Sequence, residues 1–89
     1  MERTWLRRER VCSDHGTELL LDYYLLTETD GAPDRYGVQI TLHDGAREES
    51  AAAADITSIP ARMRRLIDRM ADGTVTPAGL PDVLADLLA

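Results

Sequence analysis

The sequence contains no lysine and no phenylalanine, has a single cysteine, and lacks any long apolar run. Each absence excludes something. One thiol, Cys12, cannot close an intramolecular disulfide, so the framework of a small secreted domain is missing and a reducing cytoplasm is expected. The opening MERTWLRRER has no apolar core of the kind a secretory signal needs. The apolar run Tyr23–Leu26 falls far short of the ~20 residues that cross a bilayer, so nothing is expected to be transmembrane. Gly31, Gly37, Gly45, Gly73 and Gly79 are isolated from one another, so no glycine-rich phosphate loop is present.

What is there is short and acidic. Eighty-nine residues leave room for one core and no second domain, so residues 1–89 read as a single domain. Ordering such a chain costs on the order of ~100 kcal/mol of conformational entropy, so nearly every apolar stripe must be buried, within the monomer or against another copy. Ten arginines against sixteen acids give a net charge of −6, which opposes approach to nucleic-acid backbones and anionic membranes. The charge is uneven. Residues 13–57 carry −8, whereas 1–12 and 58–72 each carry +2.

Strands come first. Residues 4–12 are strand-like but poorly patterned, and SDHG at 13–16 supplies a turn. Residues 18–29 place Leu19, Leu21, Tyr23 and Leu25 on one face and Leu20, Asp22, Tyr24 and Leu26 on the other. Residues 35–43 alternate strictly, with Tyr36, Val38, Ile40 and Leu42 inward. After the turn HDGA, a short fourth strand is expected over 49–55.

From Ser58 the period changes to 3.6. Ile59, Met63, Leu66, Ile67 and Met70 share a face, predicting a helix over 59–72 with Ser58 as N-cap, Pro60 in the first turn and Gly73 as the C′ residue that stops it. Leu80, Val83, Leu84, Leu87 and Leu88 then recur at helical spacing, predicting a second helix over 77–88 that closes the core, with Pro81 opening its regular part. The fold class expected is α+β: an antiparallel meander of three or four strands followed by two amphipathic helices packed on one sheet face.

The order of YYLL at 23–26, YGVQI at 36–40, DITS at 55–58, LIDRM at 66–70 and VTPAGLPDVLADLL at 75–88 resembles a family of small bacterial proteins, domain of unknown function 6514. The similarity spans roughly 18–88. Its closing signature is matched by Val75, Thr76, Pro77, Leu80, Asp82 and Val83, and departed from at Gly79 and Pro81, where stronger helix formers would be expected. The resemblance implies a cytoplasmic protein of gut-type bacteria. It brings no activity, cofactor or catalytic residue with it.

Candidate chemistry is sparse. Cys12, Asp14 and His15 lie close in sequence and His43 sits at a later turn, so a metal or small-ligand site at the Cys12/His15/His43 end of the sheet is one alternative. The spacing matches no zinc motif, and turn Asp and His residues are common for backbone reasons alone. Cys12 with His15 does not set base against sulfur, and Ser13, Ser50 and Ser58 lie in no nucleophile elbow. Asp82 and Asp86 stand one helical turn apart, opposite the leucine stripe, and read as a solvated face. The second helix carries no basic residue, which speaks against a helix-turn-helix entering a DNA groove.

Two features remain. Arg62, Arg64 and Arg65 crowd the N-terminal half of the first helix while Asp68 and Asp72 sit toward its C-terminus, the reverse of what the macrodipole prefers. Arg64–Asp68 and Arg69–Asp72 pairs, or the acidic 13–57 segment, could compensate. Leu20, Tyr24 and Leu26 would also emerge on a sheet face that no helix covers, marking a binding or self-association patch unless the stems of Arg8 or Arg10 from the first strand lie over it. The reading is a small non-catalytic interaction module, with a protein partner or a second copy as its occupant. It needs no cofactor, no metal and no membrane. A nucleic-acid role through Arg62, Arg65 and Arg69 is the remaining alternative, and nucleic acid is the partner least expected.

Overall fold

The computed structural model describes residues 1–88. Four strands, β1 (Glu2–Cys12), β2 (Glu18–Glu28), β3 (Arg35–Asp44) and β4 (Arg47–Thr57), form one antiparallel sheet in the order β1-β2-β3-β4. Helix α1 (Pro60–Asp72) follows, then a 3-10 turn (Pro77–Gly79) running into α2 (Leu80–Leu87). The α+β meander is the fold expected from the alternation pattern. The fourth strand is longer than expected and continuous from the hairpin to Thr57.

The turns follow the local chemistry. In the β1–β2 hairpin the Ser13 hydroxyl accepts from the amides of His15 (3.3 Å) and Thr17 (3.1 Å), and Gly16 takes the left-handed conformation at φ 77° that closes such a loop. Gly45, at φ 60°, turns the chain between Asp44 and Arg47, which face each other at the end of the β3–β4 ladder.

Two irregularities explain why the outer strands are hard to read. The β1–β2 register slips between Trp5 and Arg7, inserting Leu6 as a bulge, so the inward phase changes part-way along β1 and its alternation is spoiled. The β3–β4 register jumps between Tyr36↔Thr57 and Val38↔Ala53. There Asp55 adopts φ 59°, and the backbone crowds Gly37 so closely that a Cβ would lie 2.2 Å from the Ala53 carbonyl oxygen.

The core lies between the sheet and α1. Leu21, Tyr23 and Leu25 from β2 and Val38 and Ile40 from β3 meet Met63, Leu66, Ile67, Met70 and Ala71 from α1, all buried. The Tyr23 hydroxyl donates to the Val75 carbonyl at 2.8 Å, tying the segment after α1 to the sheet, and burial pushes its pKa up to about 12.

Both ends of α1 differ from the expected caps. The N-cap is Ile59, not Ser58, with no side-chain cap. Pro60 takes the first helical position, where its missing N–H costs nothing, and the Thr57 hydroxyl accepts from the Ile59 amide at 3.2 Å. At the other end Gly73 is the C-cap with φ −88°, and the left-handed position falls one residue later, on Thr74 at φ 49°. Thr74 N–H donates to Ala71 O and Val75 N–H to Met70 O, each at 3.0 Å. That pair of bonds is a Schellman closure with threonine where glycine is usual.

The closing helix is only partly core. Thr76 accepts from the Gly79 amide at 3.3 Å, Pro81 stands in the first turn of α2, and Leu80 is 2% exposed. Val83, Leu84 and Leu87 are half-buried against the core. Leu88 is 47% exposed, which corrects the expectation that the whole leucine stripe would be covered. The helix ends at Leu87, and Leu88 is its C-cap, one residue beyond the packed stripe.

Candidate functional site

The extents of 46 × 27 × 17 Å suit one sheet and one helical layer, since packed layers stand roughly 10 Å apart. One surface therefore belongs to the helices and the other to the bare sheet, and each holds a candidate site.

On the helical side, α1 turns Met63, Leu66, Ile67 and Met70 toward the sheet. Arg62, Arg65 and Arg69, at i, i+3 and i+7, consequently line up along one flank. Leu87 of α2 closes the opposite wall, and the five residues Arg62, Arg65, Leu66, Arg69 and Leu87 line an open groove of about 530 Å³. Among the described residues, none of these three arginines has a carboxylate within the 4.0 Å of an ion pair.

The expected Arg64–Asp68 and Arg69–Asp72 pairs do not form. Both aspartates instead reach Arg7 of β1, at 3.5 Å and 3.0 Å. Arg7, which also contacts Glu9, adds from the sheet a positive charge beside the two aspartates in the C-terminal half of α1, where the macrodipole favours cations. The pairs are exposed and contribute little stability. Their effect is to leave the arginines of α1 without their nearest acids.

On the sheet side the centre is Asp22, 2% exposed on a face with no covering element. It accepts from the Trp5 indole (3.1 Å), from Nε and Nη2 of Arg8 (2.8 and 3.0 Å) and from Nε2 of His43 (2.9 Å). Strand pairing makes this cluster: Arg8 lies opposite Asp22, which lies opposite Thr41, one row from His43. The Arg8 guanidinium, with help from the indole and the imidazole, holds the Asp22 carboxyl down to about 2 against the desolvation that would raise it. A lone acid within LLLDYYLL was the signal for such a cluster, since a charge inside an apolar strand must find a partner.

The patch expected from Leu20, Tyr24 and Leu26 does lie on this uncovered face. Leu20 and Tyr24 are half-buried. Leu26, however, is only 5% exposed; it sits in register between Arg3 and Gly37, and it does not emerge. Arg3, not Arg8 or Arg10, covers an apolar ring here, its guanidinium 4.4 Å from the Tyr24 centroid. The side chain that does stand out is Trp5, 54% exposed, beside Tyr24 across the strands.

Cys12, His15 and His43 share one end of the sheet, because β1–β2 and β3–β4 both turn there. They do not assemble. His43 is engaged by Asp22, and among the described residues no group of three or more His, Cys, Asp or Glu side chains is placed to hold a metal ion.

A family model described as a family of unknown function, DUF6514, matches residues 2–89. The chain belongs to that family. The match takes in β1 as well as the segment that carried the resemblance, so the Trp5–Arg8–Asp22–His43 cluster lies entirely within the DUF6514 region. No curated protein and no solved structure matches the chain. Among the described residues no helix is long and apolar enough to cross a membrane.

Proposed function

We propose that this chain is a small, non-catalytic interaction module of the cytoplasm that holds an acidic, partly apolar segment of a partner protein in the groove between α1 and α2. The observation that carries this reading is the row of Arg62, Arg65 and Arg69 without acidic partners among the described residues, beside Leu66 and Leu87, in a chain whose net charge is −6. A protein that is acidic overall and gathers beside leucines guanidiniums with no acidic partner among the described residues favours a ligand that offers carboxylates and an apolar side chain together.

The spacing supports a peptide over a point anion. Seven residues of helix separate Arg62 from Arg69, a rise of about 10 Å, which suits several carboxylates in sequence. Duplex nucleic acid is the poorer fit, because Leu66 and Leu87 in the groove lining have no counterpart on a phosphate backbone.

The test is fluorescence anisotropy with a labelled peptide of alternating Asp, Glu and Leu, beside a labelled oligonucleotide of equal charge. The peptide is expected to bind, to weaken as salt rises, and to lose about tenfold in affinity, ~1.4 kcal/mol, with Arg65→Glu at unchanged melting temperature. Preference for the oligonucleotide, or peptide binding indifferent to Arg65→Glu, overturns the reading.

A further inference from the structure

We propose that two copies of the chain pack face to face through their uncovered sheet faces, related by a twofold axis parallel to the strands. This is independent of the arginine groove, which lies on the opposite surface.

Strand pairing draws rows of side chains across that face. One row reads Arg10, Leu20, His43, Glu48, and a lower one Trp5, Tyr24, Gln39, Ala52. Both run from large or basic at β1 to small or acidic at β4. A twofold axis along the strands lays β1 of one copy over β4 of the other at the same height. Arg10 then meets the second copy's Glu48, and Trp5 meets the second copy's Ala52. The face is thus its own complement in both charge and bulk, as an isologous interface requires.

In the single chain these groups are under-used. Arg10 has only Glu18 at 3.8 Å, and Glu48 only His43 at 3.9 Å, with the Arg10 and Glu48 side chains 77% and 64% exposed. Trp5 is more than half exposed. The polar centre does not oppose closure, because Asp22 is already saturated by its four donors and no buried side-chain polar atom among the described residues lacks a partner. Covering the Asp22 carboxylate leaves no unpaired acceptor.

The area is sufficient. Four strands about 4.8 Å apart and about ten residues long at ~3.4 Å give a footprint of roughly 650 Å² per copy, and roughly 1,300 Å² in total falls within the range of stable interfaces. Two twisted sheets meet in this way at about −30°. The assembly would be a sandwich with a helical layer on each outside, so the two arginine grooves point away from each other and each dimer offers two docking sites.

Sedimentation velocity from about 1 to 300 μM tests the proposal, with circular dichroism and thermal melting to confirm that each variant is folded. Wild type is expected to be a dimer in the upper part of that range. Ala52→Arg, on an exposed position of β4, is expected to give a folded monomer. Arg10→Glu and Glu48→Arg should each weaken the dimer about tenfold, and the double reversal should restore it. A monomeric wild type throughout, or a dimer unmoved by Ala52→Arg and by both single reversals, overturns the proposal.

Discussion

Replacing Asp22 by asparagine keeps the volume of the side chain and removes its charge, and the consequence follows from the geometry of the open sheet face. The carboxylate is 2% exposed and accepts four hydrogen bonds, two of them from Arg8. Its pKa falls from 3.8 to about 2 on folding. A carboxyl depressed in the folded state stabilises fully above its unfolded pKa, and that contribution fades as pH drops toward the folded value. The linkage amounts to ~2.4 kcal/mol at pH 7 and about half of that at pH 3. Urea unfolding of wild type and Asp22→Asn across pH 7 to 3 reads it directly. The variant is expected to be ~2–3 kcal/mol less stable at pH 7, with the gap narrowing steadily as the solution is acidified. A gap below ~0.5 kcal/mol at pH 7, or one that stays constant down to pH 3, would show that the carboxylate is not clamped as described.

Two backbone predictions accompany this one. Gly37→Ala forces a methyl against the Ala53 carbonyl and is expected to cost ~2 kcal/mol or more, seen as a lower midpoint in urea; an unchanged midpoint refutes the close approach of β3 and β4. Thr74→Gly places glycine at the left-handed C′ position of α1 and is expected to gain roughly 0.5–1 kcal/mol, a rise of several degrees in melting temperature.

The parts of the fold that the sequence declares are those in which a single period runs unbroken. β3 alternates from Tyr36 to Leu42 without a slip, and α1 repeats its apolar residues from Met63 to Met70. β1 and β4 were hard to bound because each carries a register shift, one around Leu6 and the other around Asp55, and because the alanines at 51–54 have no polarity to alternate. The caps of α1 were misplaced by one residue for a shared reason. Pro60 fixes the first helical position and so moves the N-cap to Ile59, whereas the Schellman bonds of Thr74 and Val75 decide the C-terminus without reference to where glycine lies.

The candidate sites were legible in unequal measure. The arginine flank was visible from the spacing of Arg62, Arg65 and Arg69, but its isolation depends on Arg7, sixty-one residues from Asp68 in sequence. No local pattern could predict that contact. The far face of β2 is visible as well, but in sequence its Asp22 reads only as one polar residue among leucines. Only the pairing of three strands shows that Trp5, Arg8 and His43 converge on it, and that Leu26 is consequently flanked and buried while Trp5 stands out. The exposed histidine and cysteine at the turn end drew notice as residue types, yet geometry engages His43 elsewhere.

The central claim, that the α1–α2 groove receives an acidic segment of a protein partner, is tested most directly by titrating the acidic Leu-containing peptide into 15N-labelled protein and following each resonance. Saturable shifts are expected at Arg62, Arg65, Leu66, Arg69 and Leu87, weakened by salt and needing about tenfold more peptide in Arg65→Glu. Shifts confined to the sheet face around Trp5 and Tyr24, or no shifts at millimolar peptide, would contradict it.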